Sequence, residues 1–384
     1  MTDSDTLDRP ALTATGPTLR VDRDHLLTAV RAVNETVEQR NTIPILSNVL
    51  LRCEAGYLKV MATDLDHWSA RQIEFTGDVI DTTVEAKRLI DAIGSLRPGG
   101  IEVNHLHGVL TIRQGRSTRK LMTMPATDFP VAPPAAGASE FGMDAAPLKR
   151  LLETARVAVS TEEVRYYLCG VFVEIIDGKI VAAATDGHRV LQVTQDAPAM
   201  AADAPASIIG TKAVNLICNM LDAAPEGAQA VVTLADRKFQ VIVGRSMISG
   251  KLVDATYPDY RRVFRFEHAS HMAIQAAEFD RAIRAAGTAS DGKTRAVRIE
   301  LAEGHCEASA TAQDGGRSIE PMEGDYSGDP LTTGINLIYA QSIAKMFGPT
   351  PQLHLGFGKA AGDLILITSD DRPGVIAGVM PMRA

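Results

Sequence analysis

Residues 287–294 read GTASDGKT, which satisfies the phosphate-cradling pattern G-x-x-x-x-G-K-[ST] letter for letter. In a working site of that kind a strand precedes the loop and a helix follows it. Helix N-terminal amides then share the phosphate charge with the lysine. Here the order is reversed: the amphipathic run EFDRAIRAA comes before the loop and the strand-like RAVRIEL after it. Gly287 reads as a helix terminator and Asp291-Gly292 as a turn, which leaves Lys293 to hold a phosphate almost alone. No apolar strand ending in Asp lies nearby to hold magnesium, so the motif is read as a decoy. His105 and His107 can share a strand face, but no third ligand is near in sequence and no metal site is expected. His188 follows Asp186-Gly187 in a turn, where a structural or binding role suits it better than catalysis. G-x-S-x-G, H-E-x-x-H and G-x-G-x-x-G are absent. The chain is read as no enzyme, with no catalytic residue and no cofactor.

Composition narrows the class. The 384 residues are 45% hydrophobic and 22% charged, as in an ordinary globular protein of two or three domains. No apolar run reaches the roughly 20 residues a membrane helix needs. Cys53, Cys169, Cys218 and Cys306 are scattered without a C-x-x-C, which points away from zinc or disulfides and toward the cytoplasm. Residues 1–17, acidic and Ser/Thr/Pro-rich, read as a disordered extension and not as a secretory signal. The net charge of −8 argues against a mainly basic nucleic-acid coat, while leaving room for a local basic surface.

The elements that position these residues repeat. VMATDLDHWSA from Val60, VAAATDGHRVL from Val181 and SATAQDGGRSI from Ser309 align on Ala62, Ala184 and Ala312, roughly 120 to 130 residues apart. Each unit opens with an amphipathic helical run: DRDHLLTAVRAV, APLKRLLETARVAV and AEFDRAIRAAGTA. A second helix follows in VEAKRLIDAIGSL, GTKAVNLICNML and INLIYAQSIAKMF, each with Pro or Gly soon after. The remaining stretches, such as LKVMATD, AVRIEL, QVIVGRS and LILITS, alternate like half-buried strands. The economical fold is α+β: three domains over residues 18–135, 136–264 and 265–384, each with two helices on a largely antiparallel sheet.

Five stretches, taken together, resemble the bacterial DNA sliding clamp family, the beta subunit of the replicative polymerase holoenzyme. They are RNTIPILSNVLL (Arg40–Leu51), VRYYLCGVFVE (Val164–Glu174), ATDGHRV (Ala184–Val190), TYPDYRRV (Thr256–Val263) and VMPMR (Val379–Arg383). The resemblance implies three tandem DNA-clamp domains and a head-to-tail homodimer that closes into a ring. Its sheets would form the outer wall and its helices would surround duplex DNA without reading sequence. It implies a tether for replicative and other DNA polymerases, the clamp loader, and mismatch-repair and ligase-type proteins, all docking short apolar peptide motifs.

Site residues carry over position by position. Arg40, here placed before a TIPIL strand, and Arg165-Tyr166-Tyr167 match DNA-contacting positions of the family. The helix positions of Arg31, Arg88, Lys149, Arg150, Arg156, Lys212, Arg281, Arg284 and Lys345 are candidates for phosphate contact. Gly210-Thr211-Lys212 keeps only the lysine of a more basic family tripeptide, which shifts weight in domain two to Lys149 and Arg150. The matching peptide pocket comprises Leu168, Thr185, Gly187, His188, Arg189, Val190, Pro258, Arg262, Val263, Asn336, Tyr339, Val379, Met380, Pro381, Met382 and Arg383. Deformable methionines and rigid prolines suit a pocket that serves several partners. At the expected dimer interface Thr288 and Ala289 stand where relatives carry bulky aliphatic residues, and Arg119 where some carry an aromatic. The dimer is therefore expected to be weak unless charges such as Arg119 with Asp291 compensate. Two alternatives stay open: a P-loop hydrolase centred on Lys293, and a clamp-shaped scaffold that is never loaded onto DNA.

Overall fold

Strand and helix boundaries follow the repeat. The computed structural model describes residues 16–38, 42–132, 139–265, 267–290, 295–359 and 362–383. The contact pattern divides the chain into one unit of Met1–Pro134 with Arg245–Ser249, and a second of Ala135–Gly244 with Gly250–Ala384.

In the first unit, helix α1 (Arg23–Asn34) begins where Asp22 accepts hydrogen bonds from the backbone N–H of Asp24 and His25 at 2.9 and 3.1 Å. Its stripe of Leu26, Leu27, Val30 and Val33 is buried, and the helix packs on α2 (Ala86–Gly94). Strands Asn48–Glu54, Tyr57–Thr63 and His67–Glu74 form an antiparallel meander, and Gly100–Leu106, Val109–Gln114 and Ser117–Met124 form another. Asp81–Glu85 joins the two, pairing along Asn48–Glu54 and touching the end of the other meander at Thr83↔Met124 and Val84↔Thr123.

The second unit holds two further copies. Helices α3 (Ala145–Ala155) and α4 (Thr211–Asp222) belong to the middle domain, α5 (Ala276–Ala286) and α6 (Leu337–Phe347) to the third, and each pair is in contact. The middle meander runs Gly170–Ile176, Lys179–Thr185, Arg189–Asp196; the third runs Ala296–Ala302, His305–Thr311, Arg317–Pro321. The two copies are joined by a strand seam: Arg189–Asp196 pairs antiparallel with Val375–Val379, from Arg189↔Val379 to Val193↔Val375. Three tandem two-helix, antiparallel-sheet domains are thus observed, as the repeat implied.

Two local expectations change. TIPIL is not a strand: Pro44–Ser47 is a single 3-10 turn, and strand pairing starts only at Asn48. Proline has no N–H for a ladder and its fixed φ suits the first position of a helical turn. The last two residues of the extension expected over residues 1–17 are tied to strand Gly100–Leu106: Pro17 O accepts from His105 N at 3.1 Å, and Gly16 O from Asn104 Nδ2 at 2.6 Å. Its remainder, residues 1–15, lies outside the described residues.

Candidate functional site

The turn between Lys179–Thr185 and Arg189–Asp196 is built by its own side chains. Thr185 Oγ1 donates to Arg189 O at 2.7 Å and accepts from Gly187 N at 3.1 Å. Asp186 Oδ1 accepts from the N–H of His188 and Arg189 at 2.9 and 3.0 Å, and its Oδ2 accepts from Arg189 Nε at 2.9 Å. A carboxylate only 9% exposed is thereby paired and satisfied by short-range bonds. Gly187 sits at φ 88°, a conformation that costs most side chains about 1–2 kcal/mol.

Beyond the turn, Arg189 crosses the seam. Its Nη1 donates to Ser342 Oγ at 2.6 Å, and its guanidinium carbon lies 4.7 Å from the centre of the Tyr339 ring. His188 stacks on the same ring at 6.1 Å and 17°. Both partners stand on α6, whose first turn is held by Asn336 accepting from the N–H of Ile338 and Tyr339. Met380 N donates to His188 O at 2.8 Å, so the tail leaves the seam beside the turn.

A cavity of about 320 Å3 opens there. Leu168, Val190, Val263, Leu364 and Met380 give it apolar walls with Pro258; His188, Arg189 and Asp259 contribute polar groups. Behind it, Tyr257 Oη accepts from Thr185 N at 3.0 Å while the ring stacks on Phe172 at 4.8 Å. Tyr260 Oη donates to Glu174 Oε1 at 2.9 Å, and Arg261 ion-pairs with the same carboxylate. Burial pushes both phenols well above their ordinary range, so they stay neutral struts.

Of the residues matched to a pocket from sequence, Leu168, Thr185, Gly187, His188, Arg189, Val190, Pro258, Val263 and Met380 line this cavity. The others do not line it. Arg262, 79% exposed, pairs with Asp259 at 3.0 Å. Asn336 caps α6 and Tyr339 sits in its first turn, Val379 is buried within the seam, and Met382 N donates to Gly334 O at 2.9 Å. Pro381 is half-buried and Arg383 exposed. Tyr260, Asp259 and Leu364 also line the cavity; the first two lie inside TYPDYRRV, and Leu364 carries no sequence signal beyond strand alternation.

The residues matched to DNA contact are dispersed. Arg165 lies in the 3-10 turn Glu163–Leu168, where its Nε donates to Glu162 at 2.9 Å; this pairing lowers the Glu162 carboxyl below its usual range. Tyr166 is 55% exposed and meets Tyr167 edge-on at 6.0 Å. Tyr167 itself faces the cavity, not the loop tip. Lys149 is held by Asp222 and, at 3.8 Å, by Glu153; Arg150 is exposed; Lys212 is half-buried at the start of α4. Arg40 lies outside the described residues. Of the interface candidates, Arg119 is on strand Ser117–Met124, Thr288 and Ala289 form a 3-10 turn after α5, and Asp291 lies outside the described residues, as does Lys293. Thr288 Oγ1 donates to Ala285 O at 2.8 Å, so the opening motif closes a helix and precedes strand Ala296–Ala302. His105 Nε2 lies 3.2 and 3.1 Å from the hydroxyls of Thr82 and Thr123; among the described residues no cluster of three metal-ligating side chains occurs.

Three tandem domains with paired helices and an apolar cavity at the seam of the last two define a clamp-type subunit. Three family descriptions match in order: DNA polymerase III beta subunit, N-terminal domain, over residues 18–133, central domain over 143–259, and C-terminal domain over 261–383. A curated Beta sliding clamp of Caulobacter vibrioides is 32% identical over 377 residues, covering 95% of this chain and 99% of that protein. That of Escherichia coli K12 is 30% identical, covering 84% and 88%. Among solved structures, a sliding clamp from Bartonella birtlesii bound to griselimycin superposes with a TM-score of 0.91 at 30% identity, covering 96% of this chain and 100% of that one. The DNA polymerase sliding clamp of Caulobacter crescentus does so with a TM-score of 0.88 at 31% identity, covering 96% and 100%. The chain belongs to the DNA polymerase III beta subunit family, the beta sliding clamps.

Proposed function

We propose that this protein is a processivity factor: two copies close head to tail around duplex DNA and hold polymerases there by peptides seated in the cavity between the second and third domains. The observation that carries this reading is that cavity, which is apolar, about 320 Å3, and rimmed by hydrogen-bonding groups that the Thr185–Arg189 turn fixes in place. Its size lies at the low end of the roughly 300–1,000 Å3 typical of small-ligand sites, which suits a few apolar side chains of a short motif. Griselimycin-bound relatives from Bartonella birtlesii and Pseudomonas aeruginosa support a ligand-accepting surface in such clamps.

The helix faces suit sliding. Arg88 pairs with Glu85 at 2.7 Å, Arg156 with Glu153 at 3.2 Å and Arg281 with Glu278 at 2.7 Å, while Arg284 pairs with Asp280. An exposed pair such as Arg88–Glu85 contributes about 0–1 kcal/mol, so a phosphate can displace that carboxylate with little net gain, whereas the largely buried carboxylates of Glu278 and Asp280 hold their arginines more firmly. Affinity for DNA then stays shallow and independent of base sequence, and topology does the holding. Arg40, Lys149, Arg150, Arg165, Tyr166 and Lys212 are the proposed DNA contacts. The ring performs no bond chemistry; ATP is spent by a separate loader. Polymerases, the loader, and mismatch-repair and ligase-type proteins are the proposed partners, and the cytoplasm the place of action. No helix among the described residues is long and apolar enough to cross a membrane.

The test is primer extension on singly primed circular DNA with a polymerase and loader from a matched source. Longer products on adding the protein are expected. Unchanged product length with the fold intact by circular dichroism overturns the reading, and hydrolysis of ATP by the clamp alone would favour the nucleotide alternative.

A further inference from the structure

The paired helices of the three domains keep one register, so side chains in matching places can be compared. Arg23, Ala145 and Ala276 open the first helices, and the fifth positions are Leu27, Lys149 and Asp280. On the second helices Ile93, Cys218 and Ala344 share a buried place toward the C-terminal end. In the first domain Arg23 reaches across to the end of α2, donating from Nε to Ile93 O at 3.2 Å and from Nη2 to Gly94 O at 2.8 Å, and Leu27 is buried. In the middle domain Lys149 spans to Asp222, the last residue of α4. Both copies thus lay an alkyl stem and a cation from the first helix on the C-terminal end of the second, where the helix dipole is negative.

The same two positions of α5 supply neither. Ala276 stands where the first domain has Arg23, Asp280 where the others have Leu27 and Lys149, and Ala344 where they have Ile93 and Cys218. A cavity of about 540 Å3 opens there between α5 and α6, with Ala276, Ala277, Ala285, Ala344 and Pro349 as its apolar lining. Asp280 lines it too. Its Oδ2 pairs with Arg284, while Oδ1 is buried and meets no hydrogen-bond donor among the described residues. A buried carboxylate oxygen without a donor is costly, and a further cation would relieve it. Arg281 is committed to Glu278 and Glu320 and does not supply that cation. Lys345, exposed at the rim, favours a neutral or anionic tail over a second positive charge at the far end of a ligand.

We infer that this cavity binds a small organic cation of the alkylguanidinium or alkylammonium class, the chemistry that an arginine and a lysine supply at the matching place in the other two domains. The cationic head meets Asp280 and the C-terminal end of α6, and the alkyl stem lies on the alanines. Asp280 then shares its two oxygens between Arg284 and the ligand, as a carboxylate can. The volume falls within the roughly 300–1,000 Å3 typical of small-ligand sites. This site shares no lining residue with the cavity beside the Thr185–Arg189 turn, and it depends neither on ring closure nor on DNA.

Saturation-transfer NMR titrations of the full chain with butylguanidine, n-butylamine and, as the neutral control, n-butanol test it without DNA. The two cations should bind saturably at about millimolar concentration or below, and butanol at least about ten-fold more weakly. Asp280→Asn, which keeps the shape and removes the charge, should weaken the cations by about ten-fold. Ala276→Arg, which rebuilds the arginine of the first domain, should abolish their binding. Absence of saturation with the unaltered chain overturns the site. So does butanol binding as tightly as the cations, because charge is then not what is recognised. Cation binding unchanged in both variants also overturns it, since an acidic chain then collects counterions elsewhere. Melting curves check the fold of each variant, and where Ala276→Arg does not fold, Asp280→Asn decides.

Discussion

In the first domain Thr63-Asp64-Leu65-Asp66-His67-Trp68 makes the turn that Thr185-Asp186-Gly187-His188-Arg189-Val190 makes in the middle domain. Thr63 Oγ1 accepts from Leu65 N at 3.0 Å, and Asp64 Oδ1 from the N–H of Asp66 and His67 at 3.0 and 2.6 Å. Asp64 also holds His67 Nδ1 at 3.0 Å, as Asp186 holds Arg189. Leu65 even adopts φ 75° where Gly187 has 88°. The frames agree and the contents do not. Trp68, 5% exposed, occupies the position of Val190, and its Nε1 donates to Pro130 O at 3.2 Å. Pro130 follows Phe129 as Pro258 follows Tyr257, so one indole bridges the two walls that stand apart around the cavity. Trp68, bonded across to the Phe129-Pro130 segment, fills the place where the smaller Val190 borders the cavity.

That comparison can be broken in four ways, in decreasing order of effect. Trp68→Ala should remove about 3–5 kcal/mol of stability, read by urea unfolding, because a large buried ring is lost and the site collapses only in part. A cost near zero would mean the indole is no plug. Val190→Trp should transplant the plug: affinity for a short apolar clamp-binding peptide falls by about 100-fold, roughly 2.7 kcal/mol, in fluorescence anisotropy. Unchanged affinity in a folded variant would place the peptide elsewhere. Tyr257→Phe strips the acceptor from Thr185 N–H and should cost about 1 kcal/mol by thermal unfolding. Leu65→Gly is the smallest: relief of the left-handed φ and the entropy of glycine nearly cancel, leaving a change within about 0.5 kcal/mol.

Legibility in the sequence tracked the range of the interaction. Helix stripes such as Leu26, Leu27, Val30 and Val33, and the Thr-Asp turn, are settled within a few residues, and the structure places them where the periodicity put them. TIPIL failed because its apolar letters suit a strand while Pro44 forbids a ladder bond. The cavity was legible only in part. Its turn and tail came from short motifs, whereas Leu364 enters from a strand with nothing distinctive about it. Tyr167 adjoins the exposed Tyr166 in sequence, yet a 3-10 turn sends adjacent side chains to different sides, and Tyr167 lines the cavity.

Local chemistry alone determined three repeats, two helices in each, and polar turns that cap their own amides, because periodicity and hydrogen bonding over a few residues need no partner. Tertiary structure decided which groups meet: Arg189 and Ser342 lie 153 positions apart, and their contact exists only because Arg189–Asp196 pairs with Val375–Val379. It decided too that Val190 borders a cavity while Trp68 fills the matching place. Whether a gap remains depends on the summed volume of side chains from distant segments, a quantity no short stretch of sequence contains.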